Sequence, residues 1–385
     1  MEHVQTYKNQ LFILRAMQFV NYSTMVLLVS YFPLYFESLG FTKLQIGAIY
    51  SIGPLLSIVS NIAVGVISDR TKNLRRILNL LYVIQILALA LLLPQKEFGF
   101  MAGIMAFFYL FQTPINSMLD SVSLLAADKM KLSFPTIRMF GSLGYALSAV
   151  AFGYLLKIYG SDLTIILALC TIGASLVFSL FISDFQATLK KFEFKGLLIL
   201  LRKKETVLFF IFIMIVSVGH RMNEGFLAVA MREIGADDSI IGYASLASAV
   251  SEIPMFFLLA KYGHRFKELP LLAMASFMYV IRLVLLSFAN EPWMMACLQM
   301  MHALTFAIFY ITALRYLQVL IPDEYRSSSQ AVFAVVWSGL AGLIAGTLGG
   351  YLYDAMGLAY VFRTGALFAL VGACGFLFTH LRRAA

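Results

Sequence analysis

The chain has 385 residues, 61% of them hydrophobic and only 13% charged, with a formal net charge of +9. A soluble domain carries about 25% charged residues, so a water-soluble enzyme, a disordered chain and a disulfide scaffold are excluded. The composition predicts an integral membrane protein built mostly of spanning segments, and the positive balance reads as a topology signal rather than a nucleic-acid footprint.

Twelve apolar segments follow in chain order: 11–36, 42–67, 77–93, 99–126, 137–159, 163–182, 206–231, 239–260, 270–288, 292–320, 327–352 and 358–381. Most reach the roughly 18–25 residues a spanning helix needs, and the alternation of a membrane barrel is absent. The first segment is too long for a signal-peptide core and has no small-residue cleavage site, so it is expected to be a retained helix. An even number of spans puts both termini on one side. Nineteen Lys and Arg fall there, from Lys8 through the runs around Arg70–Arg76, Lys190–Lys204 and Lys261–Lys267 to Arg382 and Arg383. Only Lys43, Lys96, Lys157 and Arg232 fall on the other side. The expectation is a multi-pass protein of the cell membrane with both termini in the cytoplasm. Cys170, Cys297 and Cys374 lie in apolar stretches without metal spacing and are expected to be small buried hydrophobes.

Residues 184–205 form the longest polar connection and divide the chain into halves, 1–183 and 206–385, of six spans each. The halves resemble each other. GFTKLQIGAIYSIG, containing Gly40 and Gly47, matches GADDSIIGYASLAS, containing Gly235 and Gly242. GYLLKIYGSDL from Gly153 matches GYLYDAMGLAY from Gly350. Such a parallel duplication is typical of secondary transporters, whose substrate site is expected between the halves near the bilayer midplane. The fold class expected is therefore all-α: twelve transmembrane helices in two pseudo-symmetric six-helix bundles.

Ionisable residues inside spans are costly and usually mark a pathway or pair with one another. Gln112, Asn116 and Asp120 recur at i, i+4 and i+8, and Arg138, Ser142 and Tyr145 share a face of the next span. Ser245, Ser248 and Glu252 share a face, as do Tyr279 and Arg282. Gln299, His302, Phe306 and Phe309 align further on. These stripes would line a wet cavity with aromatic walls, suited to an organic solute; for Asp120 with Arg138 the alternative is a structural ion pair. His220, Asn223 and Glu224 form a further such cluster on their span, but His220, Arg221 and Glu224 lie nearer its outer end, where an interfacial role is equally open. Arg15, Arg315 and Arg363 are expected to snorkel toward headgroups. Trp293 is expected to anchor at the interface, and Trp337 to pack.

The turn Gly65-Val-Ile-Ser-Asp69-Arg70-Thr-Lys72-Asn-Leu-Arg75-Arg76 resembles the major facilitator superfamily signature G-x-x-x-D-R-x-x-[KR]-[KR], with extra residues before the final pair. Lys261-Tyr-Gly263-His-Arg265 resembles its second copy. The segment Arg138-Met-Phe-Gly-Ser-Leu-Gly-Tyr145 is similar to the sugar-binding helix of lactose permease, and Asp120, Glu252, Arg282 and His302 match that family's ionisable residues in position. Thr305 stands where that family has its proton-carrying glutamate, Asp120 replaces a glutamate and Tyr145 a tryptophan. Ser-Glu252-Ile-Pro254 and His302-Ala-Leu-Thr-Phe306 look more like the branch of phenylpropionate permeases and nucleoside–proton symporters.

The resemblance implies a proton-coupled symporter of a small polar organic solute such as a sugar or glycoside, working by alternating access. Substrate-binding candidates are Gln112, Asn116, Asp120, Arg138, Ser142, Tyr145, Glu252, His302 and Phe306. Proton-coupling candidates are Asp120, Glu224, Glu252, Arg282 and His302. Gly65, Asp69, Arg70, Arg75 and Arg76 are gating candidates on the cytoplasmic side. No cofactor or metal is expected beyond the proton, no nucleic acid, and partners limited to solute, protons and membrane lipid, with the monomer as working unit. Nucleoside or aromatic-acid symport and proton-driven efflux stay open; the lack of proline in 137–159 argues against efflux. A receptor would need an appended signalling domain. An embedded enzyme would need a motif such as HExxH or GxSxG, and none occurs.

Overall fold

A computed structural model describes the backbone of residues 2–71, 73–132, 134–183, 203–321 and 326–384. The described residues form twelve helical rods and no strand. These are α1 (Glu2–Val26, a π turn at Leu27–Tyr31, then Phe32–Ser38), α2 (Lys43–Thr71), α3 (Leu74–Leu92), α4 (Phe98–Met130), α5 (Pro135–Tyr159) and α6 (Leu163–Leu180). After the polar connection come α7 (Lys204–Glu233), α8 (Asp238–Tyr262), α9 (Glu268–Ser287), α10 (Pro292–Leu320), α11 (Arg326–Met356) and α12 (Leu358–Ala384). Eleven of the rods are long and apolar enough to cross a membrane; the other, α2, spans 29 residues, about 44 Å at the helical rise. Nearly all of the polar connection, 184–202, lies outside the described residues.

Local chemistry places the helix ends. Thr42 and Gln45 form a reciprocal capping box at the start of α2: the Gln45 N–H donates to Thr42 Oγ1 at 3.2 Å, and the Thr42 N–H to Gln45 Oε1 at 2.9 Å. Asp237 caps α8 by accepting the Ile240 N–H at 3.0 Å. Burial alone would raise the Asp237 carboxyl, but hydrogen bonds from Lys157, Ser239 and the Ile240 N–H outweigh it and bring it down to about 2. Its contribution is therefore complete above its unfolded value near 3.8 and is lost only as pH falls from about 4 toward 2.

The sequence repeat is a repeat of contacts. Gly40 and Gly235 hold equivalent turns with φ of 84° and 92°, and Gly160 and Gly357 do so with φ of 87° and 89°. A Cβ on Gly153 would lie 2.4 Å from the carbonyl oxygen of Asp238, and one on Gly350 would lie 2.8 Å from that of Lys43. Gly47 abuts the Gly346 carbonyl as Gly242 abuts that of Ala149. Lys157 pairs with Asp237 at 2.8 Å. At the equivalent place, Asp354 accepts the N–H groups of Lys43 and Leu44 at 3.0 and 2.8 Å. Compactness follows these contacts. One unit comprises Met1–Phe41, Leu55–Leu189 and Asp237–Leu246; the other comprises Thr42–Pro54, Lys190–Ala236 and Ala247–Ala385.

Within the first unit α1 packs on α5 through Gly144, where an added Cβ would stand 2.1 Å from the Phe19 carbonyl oxygen. One turn on, Ser148 Oγ donates to Ser23 Oγ at 2.7 Å. Gly144→Val is therefore expected to lower stability by about 2–3 kcal/mol through overpacking against backbone. Thermal melting of the detergent-solubilised protein checks this; an unchanged midpoint would show that α1 and α5 do not depend on this approach.

Two expectations are corrected. Cys170, Cys297 and Cys374 are exposed on the helix perimeters rather than buried. Lipid-facing and interior sides of a membrane helix are equally apolar, so hydropathy could not separate them. Arg315 does not snorkel freely: it pairs with Glu268 at 2.9 Å and donates to the Gly263 carbonyl at 2.7 Å, tying α10 to the α8–α9 turn.

Candidate functional site

The first polar cluster lies in the first unit, where α1 meets α4 and α5. The α4 stripe is matched residue by residue by α1 running the other way. Asp120 accepts from Gln18 Nε2 at 3.0 Å, and Asn116 accepts from Asn21 Nδ2 at 2.7 Å. Gln112 donates to the Met25 sulfur at 3.4 Å and accepts from Gln85 of α3 at 2.5 Å. Arg138 reaches the same cluster from α5. Its Nε lies 3.6 Å from Asp120 Oδ1, an Nη donates to the Tyr22 hydroxyl, and its guanidinium lies 4.1 Å from the Tyr22 ring centre. The pair is not sealed: Arg138 and Asp120 keep 29% and 42% of their side-chain surface. Ser142 and Tyr145 are half-buried. The arrangement offers a five-donor cation and a carboxylate with free lone pairs, the groups that grip hydroxyls.

Gln18, Asn21, Tyr22 and Met25 are additions that the sequence reading missed. Their i, i+3, i+4, i+7 spacing is a legible stripe; mixed in with neighbouring polar residues of α1, it did not stand out.

The second cluster lies in the second unit. Arg282 of α9 is buried, and α10 surrounds its guanidinium. One Nη donates to His302 Nδ1 at 2.9 Å and to Thr305 Oγ1 at 3.0 Å, and the other donates to Gln299 Oε1. Residues 299, 302 and 305 converge because α10 tightens to a 3-10 turn at Gln299–His302, where side chains three apart eclipse, and then opens into a π turn at Ala303–Ala307. An arginine can only donate, so His302 Nδ1 accepts and its proton sits on Nε2. That nitrogen meets Glu252 Oε1 of α8 at 2.8 Å. The order of the chain is thus Arg282, His302, Glu252, with the carboxylate at its end and still 20% exposed.

His220, Arg221 and Glu224 join this cluster. His220 is buried; its ring stacks on those of His302, Phe306 and Trp337 at 5.8, 5.3 and 5.2 Å. Its Nε2 lies 3.5 Å from Glu224 Oε1, and Arg221 donates to the other Glu224 oxygen at 2.7 Å. A π turn at Val335–Leu340 of α11 frees the Trp337 carbonyl, which accepts from Ser217 at 2.5 Å. Trp337 is buried and packed, and half-buried Phe306 stacks on Tyr310 at 5.2 Å.

The side chains of Gly65, Asp69 and Arg70 lie outside the described residues. Of the same turn, Arg75 donates to the Leu180 carbonyl, and the Arg76 N–H is capped by Asn73 at 3.0 Å. No group of His, Cys, Asp and Glu fit to hold a metal occurs among the described residues.

The sequence profile of the MFS_1 like family matches residues 11–364. The uncharacterized transporter YwbF of Bacillus subtilis (strain 168) is 23% identical over 334 residues, 86% of this chain and 83% of that protein. YegT of Escherichia coli (strain K12), provisionally named a nucleoside transporter, is 26% identical over 344 residues, 84% of this chain and 80% of that one. Among solved structures, the nucleoside transporter NupG superposes with a TM-score of 0.86 at 16% identity, covering 96% of this chain and 98% of NupG. The similar proteins are transporters, not enzymes.

Proposed function

The chain belongs to the MFS_1 like family of transporters, and from that premise we propose that it is a proton-coupled symporter for a hydroxyl-bearing ring solute of the nucleoside or glycoside kind. It would work in the cell membrane with both termini in the cytoplasm. The observation that carries the coupling is the chain Arg282–His302–Glu252. With Arg282 fixed on Nδ1, His302 has no vacant nitrogen, so an arriving proton goes to Glu252. Arg282 and His302 are positioning residues for it. Glu224, beside His220 and Arg221, is a second carboxylate in proton-exchange reach of the same ring stack.

The solute's hydroxyls would be held by Arg138 and Asp120, with Asn116, Gln112 and Ser142 completing the polar wall and Tyr145 offering a face. Similarity to YegT, provisionally named a nucleoside transporter, supports a nucleoside over a simple sugar. Alternating access requires a reversible element at each membrane face. On one face the Lys157–Asp237 pair and the Asp354 cap on α2 are the contacts that would open, and on the other the Gly65–Arg76 turn would serve.

A melting panel on the purified protein tests the solute class, using uridine, adenosine, maltose, lactose and 3-phenylpropionate. A nucleoside is expected to raise the midpoint by several degrees, since ligand at about 100 times its Kd adds about 2.7 kcal/mol. A shift with phenylpropionate alone would replace the hydroxyl reading of Asp120 and Arg138 with carboxylate recognition.

A further inference from the structure

A groove of about 580 Å³ runs along α1. Leu11 and Phe12 of that helix, Phe140 of α5 and Phe178 of α6 wall it, and Lys8 and Arg15 are its two cations, the first of its α1 residues and one midway along. Lys8 and Arg15 are seven residues apart and so share one face of α1. By the charge rule Lys8 falls on the cytoplasmic side, and Arg15, two turns further along α1, is long enough to snorkel toward the same headgroups. Arg15 Nε donates at 3.2 Å to the carbonyl of Thr136, where the span of α5 opens. The guanidinium rests on the Phe140 ring at 4.9 Å, which fixes its fork while leaving both terminal nitrogens without a hydrogen bond to any described residue. Among the described residues neither Lys8 nor Arg15 is ion-paired with a carboxylate. The groove opens at the surface, where Phe12 is 67% exposed.

Two cations with no carboxylate partner among the described residues, set along an aromatic trough, match one chemistry. A neutral lipid would leave the cations unanswered, and a soluble anion would leave the trough empty. We propose that this groove binds an anionic phospholipid, its phosphate held by Lys8 and Arg15 and one acyl chain laid against Phe12, Phe140 and Phe178. The site uses none of the residues assigned to solute or proton, so it stands independently of the transport reading.

The test is lipid binding to the full chain in a zwitterionic detergent, read by native mass spectrometry and by thermal melting. Phosphatidylglycerol should be retained and should raise the midpoint, whereas phosphatidylcholine should do neither. Lys8→Gln with Arg15→Gln should weaken phosphatidylglycerol retention at least tenfold. Arg15→Gln also breaks the bond to Thr136, so Lys8→Gln alone is the cleaner variant. It should weaken retention several-fold with the lipid-free midpoint unchanged. Ala16→Phe, which fills the trough, should block retention with both cations present. Equal retention of the two lipids, competition by inorganic phosphate alone at the same concentration, or wild-type retention by Lys8→Gln and Ala16→Phe would each overturn the proposal.

Discussion

Glu252→Gln is expected to abolish accumulation of the solute while leaving its exchange across the membrane intact. One proton moving down a gradient of one pH unit supplies about 1.4 kcal/mol, enough for roughly tenfold accumulation. Glutamine keeps the shape and an oxygen that still accepts from His302 Nε2, but it cannot take up a proton. In proteoliposomes the accumulation ratio should therefore fall from near ten to near one, with counterflow of preloaded solute continuing. His302→Gln and Arg282→Lys should instead shift the pH dependence of uptake, because those residues orient the carboxylate rather than carry the proton. If Glu252→Gln still accumulated solute, the carrier would have to be sought at Glu224 or Asp120.

Arg138→Ala is expected to remove solute binding without unfolding the protein. The guanidinium is bound to Tyr22 and lies beside Asp120, yet it remains partly open, so its loss leaves no large cavity, and Asp120 keeps Gln18 as a donor. Hydrogen bonds to a charged group contribute about 1.5–3 kcal/mol each, so losing one weakens binding by about ten- to 150-fold and losing two by about a hundredfold or more. Arg138→Lys should recover only part of this, because an ammonium cannot reproduce the planar fork. Titration calorimetry with the solute selected by melting gives the affinity, and the ligand-free melting midpoint separates binding from folding. Undiminished affinity in Arg138→Ala would move the solute site away from α5.

Much of this was readable before any coordinates, for physical reasons. Spanning helices must be long and apolar, and a charged residue inside one is expensive enough to be conspicuous. Asp120, Arg138, Glu252, Arg282 and His302 therefore stood out, as did the duplication, whose glycines hold equivalent turns. Partner identity was less legible. The α4 stripe announces that something polar faces it, but the spacing on α4 does not choose Gln18, Asn21 and Met25. The convergence of Gln299, His302 and Thr305 on Arg282 depends on a 3-10 turn followed by a π turn, and a regular 3.6-residue period does not foresee that. The spacing on α7 leaves His220 and Glu224 open to an interfacial or a cavity role and does not foresee that the rings of His302 and Trp337 pack directly on His220. The exposure of the three cysteines was invisible because lipid and protein interior ask for the same residues.

The most direct test of proton coupling is uptake of the melting-selected solute into proteoliposomes at zero membrane potential, with and without an imposed pH gradient. An inwardly directed proton gradient should drive accumulation above the external concentration, with external alkalinisation when solute is added, and both should vanish in Glu252→Gln. Uptake that only equilibrates, at a rate and extent indifferent to the gradient, would contradict the account and leave the protein a uniporter.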